Sequence, residues 1–188
     1  MPLKIIFLIS NGKTGLPAES QAEQDIYFMT KKTYIVDCEE YPIAWRFNSE
    51  DCLLSDQEKQ SIVFLDEKQS QRLWGIFIPA KNLMELSDKN FVLHEKTILS
   101  FSDIEASANF FASRLAHSSF VWFFWSAVAV AIVPLQVFLK SWDDFFYPSD
   151  ENSILLTPDC PKAIFSFEDT FFYGDLVGSY FQDELKGR

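Results

Sequence analysis

An uncharged apolar run, which begins at Phe120 and ends at Leu139, constrains the fold of this chain more than any other segment. The run is long enough to cross a bilayer as a helix. Pro134 and Gln136 interrupt it, however, and acidic residues follow it where a membrane anchor would have basic ones. Aromatic and β-branched residues dominate it, which favours strands. We therefore predict two buried strands over 119–125 and 128–133, then a helix with Pro134 at its first position. A membrane span is the alternative.

Helix signals concentrate in the first half of the chain. Ser55 with Glu58 and Ser102 with Glu105 each have the spacing of a capping box, in which serine and glutamate satisfy the first backbone N–H groups. They predict helices from residue 56 and from residue 103 to about 116. A third helix is predicted over 66–76. In the helix predicted over 66–76, we expect Leu73, Trp74 and Phe77 to face inward. In the helix predicted from residue 103 to about 116, we expect Phe110, Phe111 and Leu115 to face inward.

Strand signals become dense towards the C-terminus. Three short antiparallel strands are predicted over 153–156, 163–167 and 170–173, with a tight turn at Glu168-Asp169 and Gly174 closing the last strand. Earlier short strands are predicted at 33–37, 90–93, 97–101 and 43–47, the last with Trp45 as a core anchor. The sequence therefore predicts an α+β fold, with a helical first half and a mostly antiparallel sheet in the second half.

The length of 188 residues indicates a single domain. We assign it to residues 29–182. The apolar run at residues 5–9 is too short for a signal peptide, and loop residues follow it. We therefore expect residues 1–28 to be a poorly ordered N-terminal extension and residues 183–188 to be a frayed tail.

The charge of the chain is strongly negative and unevenly distributed. The formal net charge is −11, and residues 143–188 alone hold 10 acidic against 3 basic residues. Binding to nucleic acid needs lysine and arginine for the phosphates, so we expect no nucleic-acid partner. An acidic surface attracts basic proteins and accelerates their association. The charge pattern therefore favours a basic protein as the partner.

The sequence contains no recognisable catalytic or metal-binding motif. The two histidines, His94 and His117, lie in unlike contexts, and we expect both to be structural. The three cysteines are Cys38, Cys52 and Cys160, an odd number without a CxxC motif, as expected for reduced, buried thiols of a cytoplasmic protein. Cys160 follows an aspartate, which opposes thiolate formation. We therefore expect no enzyme, no metal and no cofactor.

Paired carboxylates remain as candidate functional groups. Asp143-Asp144 and Asp150-Glu151 have three possible roles: helix-end and turn residues, contacts to a partner, or acid–base and cation-binding groups. The residues around them carry a resemblance. The segment WDDFFYPSDEN at 142–152, followed by AIFSFED at 163–169 and FFYG at 171–174, resembles small acidic immunity proteins of bacterial polymorphic-toxin systems, of the Rhs or contact-dependent type.

That resemblance implies an antitoxin that binds and neutralises the C-terminal domain of a cognate toxin in the cytoplasm. A nuclease toxin would be basic, in agreement with the charge pattern. The resemblance and the charges together designate six partner-binding residues: Asp143, Asp144, Asp150 and Glu151 for the acidic contact, and Tyr147 and Tyr173 as aromatic anchors. The alternative is a cytosolic acidic protein-interaction domain that has no toxin partner.

Overall fold

The computed structural model describes residues 35–147, 152–158 and 160–177. These residues form one antiparallel sheet, with six α-helices packed against it. The strands are β1 (Ile35–Val36), β2 (Val63–Leu65), β3 (Phe91–Ile98), β4 (Phe120–Ser126), β5 (Ala129–Pro134), β6 (Asn152–Leu156), β7 (Lys162–Phe167) and β8 (Thr170–Leu176). The helices are α1 (Ala44–Phe47), α2 (Asp56–Gln60), α3 (Glu67–Phe77), α4 (Ile104–Leu115), α5 (Leu135–Lys140) and α6 (Trp142–Phe145). The predicted termini at 1–28 and 183–188 lie outside the described residues.

The apolar run forms the centre of the sheet. Strands β4 and β5 pair as the predicted hairpin, and β4 also pairs with β6. The side chains of β4 alternate between two cores: Val121 and Phe123 point to one face of the sheet, and Trp122 and Phe124 point to the other. Both faces are covered, so the sequence is apolar at every position instead of at every second one. Within the described ranges, the structure contains no helix long and apolar enough to cross a membrane.

Helices cover both faces of the sheet unequally. The larger core lies beneath α1, α4, α5 and α6, where Phe111, Phe138 and Trp142 are fully buried among aromatic neighbours. The smaller core lies beneath α3, whose Trp74 and Phe77 contact the rings of Phe124 and Trp122. The aromatic content of the sequence is therefore concentrated in the two cores that hold the layers together.

The strand order is β1-β2-β5-β4-β6-β7-β8-β3, with every pairing antiparallel. The second half of the chain supplies the five central strands. The residues before β4 supply the helices α1 to α4 and the three strands at the edges, β1 and β2 at one side and β3 at the other. The α+β prediction is confirmed, with helices mostly early and strands mostly late in the chain.

Several local predictions are also confirmed. Ser55 caps α2 in a complete capping box with Glu58. Helix α3 starts after Asp66, whose side chain accepts a hydrogen bond from the backbone N–H of Gln69. The predicted stripe of α4 is buried, and Glu168 forms the β7–β8 turn with a positive φ of 53°.

Four local predictions are wrong. Residues 43–47 contain helix α1 and no strand, and Trp45 is 54% exposed, because a helix turns Ala44 and Phe47 inward instead. Helix α4 is capped by Asp103, whose carboxylate reaches the N–H of Ala106, and not by Ser102. The two strands at 90–93 and 97–101 are the single strand β3. Gly174 does not close β8, which continues to Leu176.

Candidate functional site

Two short helices that are far apart in the sequence meet at one end of the larger core. Phe47 of α1 and Phe145 of α6 are both fully buried, and their rings lie 5.1 Å apart. Because these two side chains point inward, their neighbours Trp45, Asp143 and Asp144 are directed outward. The packing of the core thus brings an exposed aromatic ring close to two carboxylates.

These outward side chains line an open cavity of about 270 Å³, which we call the α1–α6 cavity. Trp45 and Tyr147 meet edge to face in it, with ring centroids 5.1 Å apart. The guanidinium of Arg46 lies 5.1 Å from the Tyr147 ring and 5.3 Å from the Trp45 ring, within the range of cation–π attraction. The complete lining is Trp45, Arg46, Ser49, Asp51, Phe101, Asp143, Asp144 and Tyr147.

Arg46 fixes the floor of the cavity. The residue is only 6% exposed, and its Nη1 donates a hydrogen bond of 3.2 Å to the backbone oxygen of Phe145. The indole N–H of Trp125 donates to the same oxygen at 3.0 Å. The C-terminal end of α6 is therefore held in place by two side chains from other elements, which gives the cavity a preformed shape.

The carboxylates of the cavity are kept in a poorly compensated state. Burial raises the pKa of Asp143 above its ordinary value, and the charge of Asp144 raises that pKa further. Asp144 accepts a hydrogen bond from the hydroxyl of Ser141. Within the described part of the chain, Asp51, Asp143 and Asp144 take part in no ion pair. Their negative charge is thus available to a ligand.

A second cavity, of about 610 Å³, is also lined by acidic residues. Asp37, Glu39 and Asp56 line it together with the single cation Lys59. This second cavity is close to the α1–α6 cavity, because Asn48 lines the second cavity and the next residue, Ser49, lines the α1–α6 cavity. The surface around α1 therefore combines six acidic residues with two basic ones.

The structure places the six predicted binding residues in different surroundings. Asp143, Asp144 and Tyr147 come together in the α1–α6 cavity. Tyr173 does not line that cavity; its ring lies 5.7 Å from the cationic groups of both Arg114 and Lys162. The remaining two, Asp150 and Glu151, lie outside the described residues.

Sequence reasoning missed three cavity residues, Trp45 and Arg46 of α1 and Asp51 after it, because it placed residues 43–47 in a strand with Trp45 in the core. It also missed a contact between a cysteine and a histidine. The Sγ of Cys160 lies 3.1 Å from Nε2 of His117. The two residues are 43 positions apart, so no motif could have signalled this contact. None of the three cysteines is in a disulfide, as predicted, but all three are partly exposed instead of buried.

The described residues contain no group of three or more histidine, cysteine, aspartate or glutamate side chains arranged to hold a metal ion. The carboxylates of the α1–α6 cavity lie beside a guanidinium and three aromatic rings, and they are not arranged as a set of metal ligands. This donor set suits contacts to a protein better than coordination of a hard metal ion.

Fold and site together define an acidic α+β protein. Helices cover both faces of its antiparallel sheet, and aromatic and carboxylate side chains line a cavity beside the sheet. The model of a family described as "Protein of unknown function (DUF2947)" matches residues 34–173, and the chain belongs to that family. The match spans almost the whole sheet and includes both cavities. No curated protein and no solved structure matches the chain.

Proposed function

We propose that this protein binds a basic protein through the surface around α1, and that the partner is the C-terminal domain of a bacterial toxin that it neutralises. One observation carries the binding proposal. Asp51, Asp143 and Asp144 line an open cavity next to the exposed ring of Trp45. Tryptophan and tyrosine are among the residues that dominate binding energy at protein interfaces.

The electrostatics of the cavity support this proposal. Charged Asp143 is disfavoured by burial and by its neighbour Asp144. A lysine or arginine from a partner would remove that penalty, because an opposite charge stabilises the carboxylate. Groups that destabilise the free protein but interact favourably with a ligand are concentrated at functional sites. The toxin as partner is suggested by the resemblance of residues 142–174 to immunity proteins.

Co-expression with a candidate cognate toxin domain tests the proposal directly. Cells that express the toxin domain should survive only when the intact protein is present. The double variant Asp143→Asn/Asp144→Asn should lose this protection. A matched control, Asp88→Asn/Glu105→Gln, removes two exposed acidic groups elsewhere and should protect like the wild type. Death of cells that express both wild-type proteins would contradict the immunity proposal.

Titration of the purified protein with an inactivated toxin domain tests the site separately. Trp45→Ala should weaken binding by about thirtyfold, as expected when an interface anchor of about 2 kcal/mol is removed. Met84→Ala, at a residue that is 62% exposed outside both cavities, should leave affinity unchanged. Affinity should also fall as salt is added, because screening weakens attraction between the partners. If Trp45→Ala and Met84→Ala bind the toxin domain with equal affinity, the binding surface does not include the α1–α6 cavity.

A further inference from the structure

A nucleophile and a base meet at the end of the sheet where β6 ends and β7 begins. Cys160 lies in the β6–β7 loop, and His117 lies between α4 and β4. The Sγ of Cys160 is 3.1 Å from Nε2 of His117 and 3.2 Å from the hydroxyl oxygen of Thr157. His117 is exposed and Cys160 is partly exposed, so solutes reach both.

The loop that carries Cys160 is anchored on both sides. The N–H of Thr157 donates to the backbone oxygen of Lys162 at 3.3 Å, and that of Leu176 donates to the backbone oxygen of Pro161 at 2.7 Å. Thr157 itself is fully buried, so its hydroxyl is held in a fixed position towards the thiol. The contact between Cys160 and His117 therefore depends on the fold and not on a flexible side chain alone.

We propose that Cys160 is a reactive thiol, activated by His117, that forms mixed disulfides with small soluble disulfides. The imidazole accepts the thiol proton at Nε2, and the resulting imidazolium stabilises the thiolate beside it. The hydroxyl of Thr157 lies 3.2 Å from the sulfur and donates a hydrogen bond of 3.4 Å to the backbone oxygen of Cys160. This site is independent of the α1–α6 cavity and of the function proposed for it.

The reaction is a thiol–disulfide exchange. The thiolate of Cys160 attacks one sulfur of the disulfide, a new sulfur–sulfur bond forms and the original bond breaks. The second half of the disulfide leaves as a thiolate with the electron pair and takes up a proton, so one small thiol is released for each modified protein. The disulfide is the oxidant, and the step needs no other reagent.

Charged and titratable groups near the pair come from three further strands. Lys162 of β7 interacts electrostatically with Cys160, and it forms an ion pair with Asp175 of β8. Asp175 also contacts His94 of β3 at 2.8 Å. Asp159, next to Cys160 in the sequence, lies outside the described residues. Lys162 therefore places a positive charge near the thiol.

A metal site does not fit the same residues. A structural zinc ion needs four ligands of cysteine, histidine or carboxylate type. Cys160 and His117 supply two, and the described residues bring no third such ligand to them. The pair is therefore suited to thiol chemistry.

The other two cysteines of the chain provide internal controls. Burial raises the pKa values of both Cys38 and Cys52, so near neutral pH they remain protonated and slow to react. Treatment of the folded wild-type protein with 5,5′-dithiobis(2-nitrobenzoate), followed by peptide mass mapping, reports each thiol separately. Cys160 should react at least about tenfold faster than either, because a base lies 3.1 Å from its sulfur and can accept the thiol proton.

Variants of the two histidines test the role of His117. His117→Gln should lower the rate at Cys160 about tenfold near neutral pH, since the thiol loses the base that accepts its proton. His94→Gln removes a histidine that is linked to the thiol only through Asp175 and Lys162, and it should change the rate less than His117→Gln does. Circular dichroism confirms that the variants are folded. Reaction at Cys160 no faster than at Cys38, or an unchanged rate in His117→Gln, would overturn the proposal.

Discussion

The hydroxyl of Tyr41 donates a hydrogen bond of 3.1 Å to the backbone oxygen of Val130, 89 residues further along the chain. Tyr41 is only 5% exposed, and its ring packs 4.6 Å from that of Phe64. The bond connects the segment before α1 to the central hairpin of the sheet. It therefore helps to position the helix that supplies Trp45 and Arg46 to the α1–α6 cavity.

Replacement of Tyr41 by phenylalanine should lower the free energy of unfolding by about 1 kcal/mol, because the buried oxygen of Val130 loses its hydroxyl donor. Urea unfolding followed by fluorescence measures this loss. Tyr147→Phe is a suitable control, since Tyr147 is only half-buried. If both variants unfold at the same urea concentration as the wild type, the bond contributes nothing.

Alkaline pH should destabilise the protein through the same tyrosine. Burial raises the pKa of Tyr41 to about 12 in the folded protein, from its ordinary value of 10.0. A pKa raised by folding stabilises the protein fully below the unfolded pKa, and this contribution is lost as pH rises through the folded value. The stability difference between wild type and Tyr41→Phe should therefore shrink between about pH 10 and about pH 12. Thermal unfolding of both proteins across that range provides the measurement.

Two glycine substitutions should have opposite effects. An added Cβ at Gly174 would overlap the backbone oxygen of Val92 and lie 2.9 Å from the ring of Phe91. Gly174→Ala should therefore destabilise the protein by about 1–3 kcal/mol, as overpacking does. Gly75→Ala should stabilise it by up to about 1 kcal/mol, because Gly75 lies in α3 with no atom within 4 Å of the new methyl group. Parallel urea titrations that show the same sign for both changes would contradict this.

Acid should weaken the attachment of α2 to α5. Hydrogen bonds from Lys140 and Ser55 lower the pKa of Glu58 from 4.5 to about 2. A pKa lowered by folding stabilises the protein above the unfolded value, and this contribution disappears as pH falls from about 4.5 towards 2. Lys140→Gln should raise the pKa of Glu58, although Ser55 still donates to it at 2.8 and 2.7 Å. Carboxyl carbon NMR titration detects the change; an unaltered pKa would show that the lysine is not responsible.

Asp143→Asn should stabilise the free protein near neutral pH while it impairs partner binding. Burial raises the pKa of Asp143, so its contribution to stability is present at low pH and is lost as pH rises through the folded pKa. Because the side chain is half exposed, the gain should be no more than about 0.5 kcal/mol after solvent screening. Chemical unfolding should show this gain at neutral pH but not near pH 3. A loss of stability at neutral pH would indicate that Asp143 has a structural role.

The sequence predicts those parts of the fold that depend on local signals. The hairpin β4–β5 follows from β-branched and aromatic residues with a short turn, and α2 follows from the capping box of Ser55 and Glu58. The segment of helix α1 resembles a strand in sequence, because the large apolar residues Ile43, Trp45 and Phe47 occupy every second position. The same segment also spaces Ala44 and Phe47 three apart, which fits a helical face, and tertiary packing selects that pattern.

The candidate site could be predicted only in part. Asp143, Asp144 and Tyr147 are close in sequence and were recognised as a group. Trp45 and Asp51 join them through the contact between α1 and α6, which arises from the folded core. The pairing of Cys160 with His117 depends in the same way on the arrangement of strands β4, β6 and β7, so no local pattern reveals it.

The position of β3 at the edge of the sheet also governs the order in which the nascent chain can fold. Its only neighbour among the described strands is β8, and 72 to 85 residues separate the paired positions, from Ile98↔Thr170 to Phe91↔Leu176. During synthesis, β3 leaves the ribosome long before its partner exists. Strands joined across such long separations form slowly, and an unpaired edge promotes aggregation. Slower translation or chaperone binding between β3 and β8 should therefore determine how much of the protein reaches its native state.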